Sequence, residues 1–173
     1  MIDFFIIFAH PERDSLNGKL LASFLTGCKA NNYSHEILDL YKENFDPCIR
    51  AAELPLPDKS TPPLPMEIIN IQKKIKNSRV LVFIFPVYWF SLPAILKGFF
   101  DRVFRAGFAF EHHGSIPKGI LDDKKCIALN TYGSSSFIAR WWMWDIQWRY
   151  LKNIILKGAG ILKCQQFALY DVR

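Results

Sequence analysis

The stretch that most constrains the fold is Val80 to Phe85, VLVFIF, six consecutive apolar residues halted by Pro86. A run this short and this apolar cannot alternate between core and water, so it reads as a strand buried on both faces. Tyr88, Trp89 and Phe90 follow as a loop. From Pro93, placed at the first turn of a helix, Ile95, Leu96, Phe99, Phe100, Val103 and Phe104 recur at helical spacing. A strand with two apolar faces needs cover on both sides, which a layered α/β domain supplies. The apolar run does not read as a membrane span, because Pro86 and Pro93 interrupt it and it falls short of the roughly 20 residues required.

The same alternation recurs along the chain. Ile2 to Phe8 reads as a first strand, His10 to Asn17 as a polar turn, and Gly18 to Leu25 as helix. His35 to Leu40 is a second strand. Residues 42 to 65 are irregular and hold six of the ten prolines, a length of loop that is usually functional or mobile. Met66 to Lys76 places Ile68, Ile69, Ile71 and Ile75 opposite Lys73, Lys74 and Lys76, as a surface helix does. Gly107 to Gly114 reads as an aromatic and histidine-bearing loop, Cys126 to Thr131 as a fourth strand, and Ile161 to Tyr170 as a fifth.

Between the last two strands, Phe137, Trp141, Trp144, Trp148, Leu151 and Ile155 are spaced as one helix face, and Trp142 and Ile146 widen it. That face is expected to be buried, in the core, beside a ligand or against a second subunit. Five strands in a single domain over residues 1–173 suit a doubly wound parallel sheet in the flavodoxin-like order 2-1-3-4-5. The sequence stops at Arg173 without the helix expected after the last strand, so a bare patch is expected beside the first and fifth strands.

Composition narrows the function classes. Half the residues are apolar and 22% are charged, as in a globular domain. The net charge of +6 is concentrated after residue 86, but the basic residues are scattered and form no nucleic-acid footprint. A phosphorylated small molecule is a sufficient partner for such a field. Cys28, Cys48, Cys126 and Cys164 lie far apart, without metal or thiol-redox spacing, and read as reduced structural cysteines of a cytoplasmic protein. The apolar N-terminus lacks a basic leader and carries Asp3, unlike a secretory signal.

In a doubly wound sheet, ligands bind outside the carboxyl ends of the strands where the strand order reverses. Three loops are expected there together. His10 to Asn17 offers a helix N-terminus for phosphate, Pro86 to Phe90 offers aromatic faces, and Thr131 to Ser135 is a turn of small residues that a planar ring can approach. A phosphorylated, flat, heteroaromatic cofactor would use all three, which suits a flavin, FMN or FAD. Competing motifs are absent: there is no G-x-x-x-x-G-K-[ST] loop, Gly158 and Gly160 lie between helix and strand, and no G-x-S-x-G surrounds Ser134. His112 and His113 are adjacent and without further ligands at metal spacing, so no metal site is expected.

The motifs AHPERDSLN at 9–17, FPVYWFSLPAILKGFFDRVF at 85–104, GFAF at 107–110 and TYGS at 131–134 resemble the NAD(P)H:quinone oxidoreductase (DT-diaphorase-like) family of flavodoxin-like flavoproteins. The resemblance implies ping-pong hydride transfer from NAD(P)H through bound flavin to a quinone. It implies that His10, Ser15, Leu16 and Asn17 hold the flavin phosphate, and that Pro86, Val87, Tyr88, Trp89 and Phe90 line the ring. Thr131, Tyr132, Gly133 and Ser134 would contact its other side. Phe110, Glu111 and His112 would border the substrate across a homodimer interface, with His112 as the candidate catalytic group. The tyrosine and histidine that some members carry as proton-relay groups fall here on Ala139 and Asp145. The same family includes ancillary proteins of potassium efflux systems, which implies as an alternative a regulatory flavoprotein in peripheral contact with a membrane transporter.

Overall fold

A computed structural model describes residues 1–54, 63–113 and 116–172; the side chains of His113 and Ile116 are not part of that description. Pro55, Pro57 and Pro62 of the proline-rich stretch, together with Gly114 and Arg173, lie outside the described residues. The elements are β1 (Ile2–Phe8), α1 (Leu16–Ala30), β2 (His35–Asp39), α2 (Met66–Lys76), β3 (Ser78–Val87), α3 (Ala94–Val103), β4 (Phe110–His113), β5 (Ile116–Gly119), β6 (Lys125–Tyr132), α4 (Ile146–Tyr150) and β7 (Lys163–Leu169). A short 3-10 turn at Ala51–Glu53 and π turns at Ile138–Trp142 and Leu151–Leu156 complete them.

The five long strands form one parallel sheet, β2-β1-β3-β6-β7. This is the expected doubly wound order, with β6 and β7 in the fourth and fifth places. Alternation along β3 sends Leu81, Phe83 and Phe85 into a core under α2 and α3, and Val82 and Ile84 into a second core under α1. All five are fully buried, which is why the segment carries no polar residue.

Several expectations change in detail. Pro86 does not end β3: the strand continues through Val87, pairing Pro86 with Thr131 and Val87 with Tyr132. A proline is tolerated there because it lies at the strand's end. Pro93 is the residue before α3, not its first residue. The histidine-bearing loop is a hairpin, with β4 and β5 antiparallel and His112 opposite Pro117. Helix α1 starts two residues early because Ser15 caps it, accepting from the Gly18 N–H at 3.2 Å. At Gly18 only hydrogen fits, since a Cβ would stand 1.7 Å from the Arg13 carbonyl oxygen.

The tryptophan-rich segment departs most. Trp141, Trp142 and Trp144 are each about 70% exposed (73%, 75% and 69%), and Phe137 is exposed as well. Their spacing assumes an unbroken α-helix. A π turn lets Met143 N–H reach the Ile138 carbonyl, and Trp144 and Asp145 then adopt left-handed conformations with φ of 51° and 50°. Both changes rotate the first half of the face out of register, so that Ala139, Gln147 and Leu156 are buried as well, while Leu151 is buried as expected and Trp148 and Ile155 pack partly buried against the core. The bare patch lies at β7 alone, where Phe167 and Leu169 are exposed, while Ile6 and Phe8 of β1 are fully covered. Among the described residues no helix is long and apolar enough to cross a membrane.

Residues 42–54 are tied to α3 rather than loose. Gly98 lies so close to Pro47 that a Cβ would stand 2.2 Å from its carbonyl oxygen. Beside this contact Arg102 and Glu53, 4% and 3% exposed, form a buried ion pair.

Candidate functional site

Because β1, β3 and β6 are adjacent and parallel, their following loops meet at one end of the sheet. They enclose a pocket of about 440 Å³. The β1–α1 loop contributes His10, Glu12, Ser15, Leu16 and Asn17. Pro86, Val87 and Tyr88 at the end of β3 form one wall, Thr131 and Gly133 at the end of β6 another, and Val172 closes the edge. A larger apolar hollow of about 640 Å³ lies beside Trp142 and Trp144, but no strand end lines it.

The loop is rigidly built. The Ser15 hydroxyl donates to the Glu12 carbonyl at 2.6 Å, and the Glu12 N–H donates to His10 Nδ1 at 3.0 Å. Arg13 donates from Nε to the buried Asp39 carboxylate at 2.7 Å and lies over the Phe8 ring. With Gly18 capped by Ser15, the N–H groups of Leu16 and Asn17 have no intrahelical acceptor, and the positive end of α1 faces the pocket. Asn17 is buried, and its Nδ2 donates to Thr131 Oγ1 at 3.0 Å, bridging the first and third loops. Its Oδ1 and the Ser134 Oγ are buried atoms without a hydrogen-bond partner among the described residues. Orphaned buried polar atoms are costly; the Asn17 Oδ1 calls for a donor and the Ser134 Oγ can donate or accept, so both suit a polar ligand, while the helix N-terminus suits its anionic part.

The second loop is strained. Tyr88 and Ser91 exchange both backbone hydrogen bonds, at 3.2 and 2.9 Å, around a turn whose central residues Trp89 and Phe90 have φ of 50° and 54°. Such two-residue turns favour Asn-Gly, because side chains resist positive φ. Here two aromatics occupy it and Trp89 is 98% exposed. The exposed Trp89 ring therefore takes no part in core packing.

A family model for the flavodoxin-like fold matches residues 3–173. The chain belongs to this flavodoxin-like family. Within it, human ribosyldihydronicotinamide dehydrogenase (quinone) is 30% identical over 168 residues, covering 82% of this chain and 72% of that protein. NAD(P)H dehydrogenase (quinone) 1 of Cavia porcellus is 33% identical over 145 residues, covering 75% of this chain but only 53% of that enzyme, so the chain spans about half its length. The solved NAD(P)H:quinone oxidoreductase from Methanothermobacter marburgensis superposes with a TM-score of 0.87 at 27% identity, covering 99% of this chain and 88% of that one.

The remaining candidate residues of this flavodoxin-like chain fall into two groups. Tyr132 turns its side chain away from the pocket. It stacks on Tyr170 with ring centres 4.9 Å apart, and its hydroxyl donates to Gln147 at 2.9 Å. Burial, reinforced by the nearby Asp145 carboxylate, pushes its phenol well up from the ordinary range. Asn130 also donates to Gln147, and Gln166 donates to Asn130, so a polar network underlies Thr131. This network of Asn130, Asp145, Gln147 and Gln166 was not visible as a site in the sequence, because Asp145 and Gln147 reach β6 from the start of α4 and Gln166 reaches it through the pairing of β6 with β7.

Phe110 and His112 stand elsewhere, in a hollow of about 310 Å³ with Ile49, Glu53, Phe104 and Arg105. The Phe110 and His112 rings meet edge to face at 5.5 Å. This hollow shares no lining residue with the strand-end pocket, and Glu111, exposed on the same strand, lines neither. Glu12 and Val172 line the pocket without having been singled out from the sequence; the position of Val172 just past β7, at the carboxyl end of the sheet, is the topological signal for it.

Proposed function

We propose that this chain is a flavin-dependent NAD(P)H dehydrogenase that reduces quinones or similar acceptors by a ping-pong sequence. The observation that carries this reading is the strand-end pocket, where the N-terminus of α1 and the buried Asn17, its Oδ1 unpartnered, face the wall formed by Pro86, Val87 and Tyr88. When bound, a flavin supplies the two-electron chemistry, accepting hydride from NAD(P)H and, once the nicotinamide has left, reducing the acceptor.

The chain's own residues orient and hold. Ser15, Leu16 and Asn17, with His10 beside them, would hold the phosphate through backbone N–H groups and the helix dipole. Asn17 Oδ1 and Ser134 Oγ would satisfy polar groups of the ligand, and Thr131 fixes Asn17 through their hydrogen bond. Pro86, Val87 and Tyr88 would form the wall beside the ring, with Trp89 and Phe90 excluding water over it. Thr131 and Gly133 would bound the opposite side. Phe110, Glu111 and His112 would reach an acceptor from the second subunit of a homodimer, where His112 would supply a proton.

The test is the absorption spectrum of the purified chain after incubation with FMN or FAD, followed by NAD(P)H oxidation with a quinone. A bound flavin band and parallel double-reciprocal plots are expected. A chain that stays colourless with both flavins refutes the reading.

A further inference from the structure

Away from the pocket, the fold brings two nucleophiles into contact. The ladder between the parallel strands β6 and β7 sets Cys126 directly opposite Cys164. Alternation puts both on one face of the sheet, where Cys126 is part of the core and Cys164 packs against it. Both are free thiols, and the Cys164 thiol donates to the Ile161 carbonyl at 3.3 Å. Paired strands lie about 4.8 Å apart, within the range of roughly 4.4–6.8 Å between Cα atoms that a disulfide spans.

Their surroundings differ in a useful way. Cys126 is 1% exposed, and burial pushes its thiol well up. Cys164 is half-buried; the neighbouring Cys126 thiol and, secondarily, the Lys152 ammonium pull its thiol down. A half-buried thiol whose pKa is lowered, opposite a fully buried one, is the arrangement of an attacking and a resolving cysteine.

We infer that Cys164 and Cys126 form a dithiol modification site, which hydrogen peroxide closes to a reversible disulfide. The Cys164 sulfur attacks a peroxide oxygen; an S–O bond forms, the O–O bond breaks, and one water leaves. The Cys126 sulfur then attacks the Cys164 sulfenic acid; the S–S bond forms, the S–O bond breaks, and the second water carries away the Cys126 proton. The two thiols lose two electrons and two protons, and the peroxide is reduced to two waters. Cys126 precedes Thr131 by about 16 Å of strand at roughly 3.3 Å per residue, so the site is independent of the flavin reading.

The experiment uses the full chain carrying Cys48→Ser, because Cys48 is exposed and would form unrelated adducts. After hydrogen peroxide, free thiols are blocked with N-ethylmaleimide and the protein is digested without reductant. A peptide joining Cys126 to Cys164 is expected, with the intact mass lower by two hydrogens and dithiothreitol restoring both thiols. With Cys126→Ser added, Cys164 should stop at the sulfenic acid and be captured by dimedone. The inference is overturned if Cys164 remains a thiol at peroxide levels that oxidise Cys48 in the unsubstituted chain, or if it proceeds to the sulfinic acid while Cys126 stays reduced.

Discussion

Glu53→Gln should cost about 3 kcal/mol of stability at neutral pH, the low end of the range for breaking a buried ion pair. Glu53 receives Arg102 Nε at 3.2 and 3.1 Å on its two oxygens, and the Arg50 N–H at 3.2 Å. Glutamine keeps the shape and removes the charge, leaving the Arg102 guanidinium buried and uncompensated. The loss stays at the low end because Arg102 retains the Asp46 carbonyl at 2.6 Å and the Glu67 carboxylate at 3.9 Å. For a chain of this size about 3 kcal/mol lowers the melting temperature by roughly 6–12 °C, readable by tryptophan fluorescence. The pH dependence fixes the cause. Arg102 holds the Glu53 carboxyl below its ordinary value of 4.5, so its contribution is complete above that pH and is lost as pH falls through the lowered folded value. The gap between wild type and variant should therefore be constant near neutrality and close in acid. A variant within about 0.5 kcal/mol of wild type at pH 7, well below the range for a broken buried pair, would refute the reasoning, as would a gap that persists in acid. Replacing the pair together, with Glu53→Leu and Arg102→Met, should restore most of the loss.

Gly18→Ala forces a backbone shift against the Arg13 carbonyl and should destabilise by about 1–3 kcal/mol, with a matching fall in flavin affinity measured by titration. Trp89→Gly relieves a left-handed residue without emptying the core; it should leave stability unchanged or raise it by up to about 1 kcal/mol, while quinone turnover falls. A destabilised Trp89→Gly protein would show that the ring packs and does not bind. Burial holds the Asp145 carboxyl above its ordinary value of 3.8, so the folded chain binds that proton more tightly and stability falls as pH rises through the window just above 3.8. Asp145→Asn should flatten that part of the pH–stability profile, and an unchanged slope would count against a buried carboxyl as its origin.

The sheet was legible because β1 and β3 are apolar on both faces, a pattern that follows from local composition alone. Helix α2 matched from Met66 to Lys76 for the same reason, its Ile68, Ile71 and Ile75 being buried and its lysines turned outward. The pocket was legible one step later, since the strand order decides which loops meet. What escaped depends on register or on local breaks in periodicity. Cys126 and Cys164 are neighbours only through the β6–β7 ladder. Glu53 meets Arg102 only because Gly98 lets the segment near Pro47 close on α3. The β4–β5 hairpin was read as loop because FEHH and IPKG lack the apolar alternation that marks a half-buried strand.

The tryptophan-rich segment failed because of backbone conformations that spacing does not reveal. Among the described residues, seven non-glycine positions have positive φ. Asn32, Asn44, Asp145 and Asp171 are types that tolerate it through their short polar side chains. Trp89, Phe90 and Trp144 are not, and they lie in the segments that leave β3 and β6 at the pocket end of the sheet. A chain optimised for stability alone would place Asn or Gly at those three positions. Trp89 and Trp144 are both exposed, so burial of their rings does not offset that backbone strain. The helical period mispredicted burial because the π turn and the left-handed Trp144 and Asp145 break it between Ile138 and Ile146.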